Sequence, residues 1–131
     1  MSLGENVEMS KPATLDPAVL EYIAEGKEIV ERVSKNLSVI EAGSLDGETL
    51  TSLYRDVHTL KGSSQLFVFK LTAQVSHALE ACLDPVRKGK MKIGPLMMQA
   101  CIKNIDLLDR LLQSIEASGS EFENEDEIVK L

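Results

Sequence analysis

Tryptophan is absent from this chain, aromatic residues make up only 4% of it, and there are just two cysteines, Cys82 and Cys101. Two thiols without paired short spacings build neither a disulfide scaffold nor a zinc knuckle, and a reducing cytoplasm is the compartment they fit. No apolar run approaches the roughly 20 residues needed to span a bilayer, and the N-terminus lacks the basic segment and apolar core of a secretory signal. Positive charge is also scarce: 14 Lys and Arg stand against 21 Asp and Glu, a formal charge of -7 that argues against nucleic acid or an anionic membrane as partner. There is no G-x-x-x-x-G-K-[ST] loop or other glycine-rich phosphate cradle, so the chain should hold no ATP by itself. What remains is a sequence of 131 residues, 44% hydrophobic and 27% charged, with no repeat of 20 to 50 residues. That is enough for one globular domain and too little for two.

The apolar residues recur at alternating spacings of three and four, the period of amphipathic helices. Asp16-Pro17 is the first start signal, an N-cap carboxylate followed by the position where proline suits a helix, with Leu15 placed to staple onto Leu20. Ile23, Gly26, Val30, Val33, Leu37 and Ile40 form the seam of this first helix, which Gly43 ends. A second helix starts near Asp46 and buries Leu50, Leu53, Val57, Leu60, Ser64 and Phe67. Leu66 to Lys70 reads as a tight, buried connection. A third helix carries the stripe Leu71, Val75, Ala78, Leu79, Cys82 and Val86, with Arg87, Lys88 and Gly89 at its exit. Gly94-Pro95 starts a fourth, which faces Met97, Cys101, Ile105, Leu108, Leu111, Leu112 and Ile115 inward until Gly119. Met91, Met97 and Met98 read as core or rim filler.

Four amphipathic helices with short connections and no strand pattern predict an all-α fold, an antiparallel up-and-down four-helix bundle. Residues 1–15 read as a flexible leader whose Met1-Ser2-Leu3-Gly4 opening resembles an expression scar, residues 16–118 as the bundle, and residues 119–131 as an acidic tail or linker. Glu121, Glu123, Glu125, Asp126 and Glu127 read as a solvated charge run, with a short, marginal fifth helix as the other reading.

His58 follows Val57 on the second helix, and one residue rotates it about 100° off the apolar seam to the solvent rim. Lys61 and Gly62 share its surface patch at i+3 and i+4. A glycine inside a helix costs about 1 kcal/mol relative to alanine, so Gly62 calls for a reason, and room beside an imidazole is one. Folding the second helix onto the third about Phe69 sets Glu80 level with His58, and Lys61 level with His77. Spacing alone reads Glu80 as a surface carboxylate beside the seam, but at this height it can accept from the His58 ring N–H. Such a bond fixes the tautomer, turns the other ring nitrogen outward and stabilises the charge that develops when that nitrogen attacks.

His58-Thr59-Leu60-Lys61-Gly62-Ser63-Ser64 resembles the phosphoacceptor motif of histidine phosphotransfer (HPt) domains. From about Pro17 to Ala117 the chain is similar to the N-terminal phosphotransfer domain of CheA-type chemotaxis histidine kinases, above all at His77-Ala78-Leu79-Glu80, at the Asp84 to Lys90 exit and at Leu107-Leu108-Asp109. The resemblance implies that His58 is the phosphoacceptor, Glu80 its orienting partner, Lys61 a phosphate-side cation, His77 a member of the same polar cluster and Gly62 the clearance for a docking protein. It further implies a histidine kinase catalytic domain as donor and a response-regulator receiver domain as acceptor. ATP and magnesium would be bound by those domains, with no cofactor held here; the CheA resemblance and the acidic, linker-like tail favour a piece of a larger kinase over a free-standing protein. Many HPt motifs carry glycine where this chain has Gln65 and Val68. Gln65 alters the surface a partner meets, and Val68 changes how the second helix ends. A non-catalytic bundle that binds partner helices is the rival reading, and it predicts that His58 is dispensable.

Overall fold

The computed structural model describes residues 15–43 and 46–121. Four helices follow one another: α1 (Pro17–Glu41), α2 (Gly47–Leu66), α3 (Lys70–Arg87) and α4 (Pro95–Ser118), with no strand among the described residues. Each helix packs on its neighbours in the cyclic order α1, α2, α3, α4, and α2 and α3 form the most extensive pair. The expected four-helix bundle is therefore the observed one. Of the expected leader (residues 1–15), residues 1–14 lie outside the described residues, as do residues 122–131, which hold most of the acidic tail with the marginal fifth helix; Leu15 is described and packs against the core.

The start and stop signals act as their chemistry requires. Asp16 accepts from the Ala18 N–H at 2.7 Å and Asp46 from the Thr49 N–H at 2.7 Å, satisfying donors that the first helical turn cannot satisfy internally. Gly119 ends α4 in the left-handed region, φ 82°. The Leu15 staple does not form as expected. Leu20 is 48% exposed, and Leu15 packs instead on the core beside Gly119, because the fourth helix ends where the first begins.

One aliphatic core runs the length of the bundle, with Leu53, Leu79, Leu111, Leu112 and Ile115 wholly buried. Gly26 belongs to the α1 seam because a Cβ there would come within 3.0 Å of Leu112, so the missing side chain lets α1 and α4 approach. The third stripe needs correction. Ala78 is exposed and Cys82 only half-buried, whereas Thr72, Ser76, Glu80 and Leu83 are buried. Apolar identity placed that stripe about one residue out of phase, and packing against both α2 and α4 widened it. Met91 is likewise 45% exposed rather than filler.

The connection after α2 is half-buried, not wholly so. Phe67 and Phe69 flank the ring of Tyr22, at centroid distances of 5.3 and 5.2 Å, while Leu66 and Val68 are 78% and 67% exposed. The Tyr22 hydroxyl pairs with Ser64 Oγ at 2.7 Å, and burial pushes its phenol pKa up despite that bond. Helix α2 ends in a Schellman turn, with Val68 N–H to Gln65 O at 3.1 Å and Phe69 N–H to Ser64 O at 2.9 Å. This turn puts Val68 at φ 62°, where a β-branched side chain costs about 1–2 kcal/mol. Val68→Gly relieves that strain at the cost of a looser unfolded chain, and a net gain of about 1 kcal/mol is expected in denaturant melts. A loss of stability would show that the exposed valine is not strained.

Helix α3 has no side chain of its own at its N-terminus to cap it. Glu121 does so from the far end of the sequence, accepting from Leu71 N at 3.1 Å, Thr72 N at 2.5 Å and Thr72 Oγ1 at 2.6 Å. Glu121 is thus a structural cap rather than part of a solvated run.

Candidate functional site: the His58–Glu80 pair between α2 and α3

The hairpin register places the site as the spacing predicts. His58 lies on the exposed rim of α2 with 59% of its side chain accessible, and its Nδ1 bonds to Glu80 Oε2 across the α2–α3 seam. The other ring nitrogen, Nε2, takes no part in that bond. Lys61 Nζ donates to Glu80 Oε1 at 2.8 Å, so one carboxylate takes a bond from both residues of the α2 rim. His77 Nδ1 lies 3.7 Å from the same oxygen, beyond hydrogen-bond distance, and its side chain is 69% exposed. His58, Lys61 and His77 therefore gather about Glu80, with His77 outermost.

Glu80 is no surface carboxylate. Its side chain is only 9% exposed, which rules out treating this as a solvated ion pair. Burial raises the Glu80 pKa, but the bonds from Lys61 and His58 outweigh it and hold the carboxyl below its ordinary range. Ionised at neutral pH, Glu80 then fixes the His58 tautomer with the proton on Nδ1 and the lone pair on Nε2.

Gly62 has nothing within 4 Å of where a Cβ would stand, so the glycine serves no packing inside this chain. Gln65 is exposed two turns along α2 and joins no bond of the cluster. The sequence reading passed over Tyr54. Its ring stacks on His58 with centroids 6.2 Å apart and planes 11° apart, and the Arg87 guanidinium carbon sits 4.2 Å from the Tyr54 centroid. An aromatic at i−4 from the histidine was the signal available. Arg87 is tied in turn to Asp84 at 2.7 Å.

No group of three or more His, Cys, Asp or Glu among the described residues is placed to hold a metal. Cys101 is buried against Cys82, and desolvation pushes its thiol up to about 12, leaving no thiolate at neutral pH.

A family model described as the Hpt domain matches residues 18–118. The chain belongs to the Hpt domain family. This Hpt domain is 32% identical over 104 residues to the sensor histidine kinase CheAY of Helicobacter pylori, a match covering 79% of the chain and 13% of that protein. It is 30% identical over 98 residues to the chemotaxis protein CheA of Bacillus subtilis, covering 75% of the chain and 15% of the relative. The chain therefore spans only about a seventh of the length of these curated relatives. Among solved structures, the CheA phosphotransferase domain from Thermotoga maritima superposes with a TM-score of 0.70 at 26% identity, covering 75% of this chain and 93% of that one. The phosphorylated P1 domain of CheA3 from R. sphaeroides shares the fold, with a TM-score of 0.79 at 21% identity over 86% of this chain and 88% of that one. No helix among the described residues is long and apolar enough to cross a membrane.

Proposed function

We propose that His58 accepts a phosphoryl group on Nε2 from the catalytic domain of a CheA-type histidine kinase and passes it to the aspartate of a response-regulator receiver, in the cytoplasm. The observation that carries this reading is the His58 Nδ1 bond to a buried, ionised Glu80, which leaves Nε2 out of that bond on an accessible ring. The Nε2 lone pair attacks the γ-phosphorus of ATP held by the donor, the N–P bond forms, and the bond to the ADP oxygen breaks. The ring then carries positive charge, which Glu80 stabilises through Nδ1–H. In the second step a receiver carboxylate attacks phosphorus, and the N–P electron pair returns to Nε2. ATP and magnesium belong to the partners. Lys61, anchored on Glu80, supplies positive charge beside the phosphoryl oxygens, and His77 lies at the margin of the cluster. The relatives named sensor histidine kinase CheAY and chemotaxis protein CheA support the choice of donor.

The test is nitrogen-15 NMR of the protein phosphorylated by a CheA-type catalytic domain. Phosphorylation should shift the His58 Nε2 resonance strongly and keep the proton on Nδ1. A phosphoryl group on Nδ1 would overturn the mechanism, because that nitrogen is already bound to Glu80.

Glu80→Gln keeps the shape and removes the charge that offsets the developing imidazolium. Phosphorylation is expected to slow at least tenfold, about 1.4 kcal/mol of barrier, while the helical circular dichroism is kept. An unchanged rate would remove Glu80 from the mechanism. The same substitution changes the acid response. Because the folded-state pKa lies below the ordinary 4.5, ionised Glu80 favours the fold above that value, and this contribution disappears as the pH falls through the folded pKa. The Glu80→Gln protein should therefore lose less stability than the parent between neutral pH and strong acid.

Gly62→Ala separates folding from docking. The new methyl group meets nothing inside the chain, so the melting temperature should rise with a gain of about 1 kcal/mol. If Gly62 is clearance for a partner, transfer to a receiver slows in the same protein. Faster or unchanged transfer would assign the glycine no docking role.

A further inference from the structure

Charge is distributed unevenly around the phosphoacceptor. The chain carries a formal charge of -7, yet from Pro85 to Ile105 it has Arg87, Lys88, Lys90, Lys92 and Lys103 and no acidic residue. Residues 87–92, the exit of α3 and the start of the connection to α4, are all exposed. Lys88 and Arg87 are balanced by Asp84, at 2.9 and 2.7 Å, while Lys90 and Lys92 make no ion pair among the described residues. Between Arg87 and Leu96 two large apolar side chains lie exposed, Met91 at 45% and Leu96 at 81%. On α1, by contrast, Glu21, Glu25, Glu28 and Glu31 make an exposed acidic face.

The basic segment adjoins the site. Arg87 rests on the Tyr54 ring and Tyr54 stacks on His58, so a continuous row of side chains leads from the segment to the imidazole. Arg87 lies seven residues beyond Glu80 on α3, about 10 Å along the helix axis. A partner that covers about 800 Å² of this protein occupies a disc with a radius of about 16 Å. One centred on His58 reaches Arg87 and the residues just past it.

We propose that the 87–96 segment, with Lys90 and Lys92 as its free cations and Met91 and Leu96 as its apolar contacts, is a docking surface for the carboxylate-rich acceptor face of a receiver domain. This inference rests on the phosphotransfer reading above. Its physical basis is complementarity: the acceptor is itself a carboxylate, and the magnesium required for the transfer is held by further carboxylates, so that face is anionic. An acidic chain repels it everywhere except at a positive rim, which steers the encounter and sets its orientation. The acidic face of α1 turns away wrong approaches.

The test measures transfer from the phosphorylated protein to a CheY-type receiver for the parent and for Lys90→Glu/Lys92→Glu. Both positions are exposed loop sites, and circular dichroism checks the fold. At about 0.01 M salt, where the Debye length is about 30 Å, kcat/KM should fall about tenfold with kcat unchanged. At about 0.15 M, where it is about 8 Å, the difference should shrink. Phosphorylation of His58 by phosphoramidate, a small donor that needs no docking, should be the same in both proteins. Lys27→Glu/Lys35→Glu makes the same change in net charge in the groove between α1 and α4, across the bundle from His58. It should have little effect. An equal loss in this control, or no loss at Lys90 and Lys92 while the parent transfers normally, overturns the docking surface alone. A parent that is phosphorylated yet transfers to no receiver overturns the phosphorelay reading and the docking surface together.

Discussion

His58→Gln is expected to carry no acid-labile phosphoryl label after incubation with a CheA-type catalytic domain and radiolabelled ATP. The loss should be complete, because glutamine offers an amide N–H to Glu80 but no ring nitrogen with a nucleophilic lone pair. The fold should survive, since the side chain is 59% exposed and contributes no core packing. The chain has only two histidines, so His77→Gln is the natural counterpart. It should retain the label, because among the described residues no carboxylate lies within hydrogen-bond distance of the His77 ring to fix its tautomer or stabilise its charge. Label that persists in His58→Gln and vanishes in His77→Gln would reverse the assignment. A protein that signals normally without His58 would favour the non-catalytic interaction module.

The second large effect is on stability. Glu121→Ala should destabilise the domain by about 2 kcal/mol, because it takes the acceptor from two backbone donors in the first turn of α3 and from the Thr72 hydroxyl. Thr72 is wholly buried, so water cannot readily replace the lost bonds. For a domain of this size that corresponds to a fall of about 6–10 °C in melting temperature. Glu121→Gln keeps one acceptor oxygen and loses the charge that favours a helix N-terminus, so it should fall between the two. An unchanged melt for Glu121→Ala would mean that the cap contributes nothing. The His58–Glu80 pair need not be affected, since Glu80 sits nine residues beyond Leu71 on α3.

Much of this molecule can be read without coordinates, and the reason is local. Asp16-Pro17, Asp46, Gly94-Pro95 and Gly119 act within a turn of themselves, through capping bonds and backbone dihedrals, so helix ends follow from a few neighbouring residues. The α2–α3 register is nearly as local. A short connection leaves two antiparallel helices little freedom, which is why counting outward from Phe69 brought His58 to Glu80. Gln65 and Val68, where many relatives of the motif have glycine, fall on either side of this logic. Gln65 has an exposed side chain that joins no bond of the His58 cluster, while Val68 takes the left-handed conformation that a glycine would take without strain.

What sequence could not supply depends on separate elements of the bundle meeting at once. Glu80 is buried because Lys61 and His58 close over it, and only their combined bonds make an ionised carboxylate stable there; a helical wheel sees an acid and assigns it to water. Tyr54 joins the site because Arg87 reaches across from α3, and Tyr22 is buried because two phenylalanines from a connecting turn enclose it. Glu121 pairs with residues 49 and 50 positions away, which no periodicity records. Local chemistry along the chain thus determined the four helices and the histidine that faces out, whereas the charge state of its partner and the cap on the helix bearing it were decided by long-range packing, since burial and bonding energies exist only once distant segments share one volume.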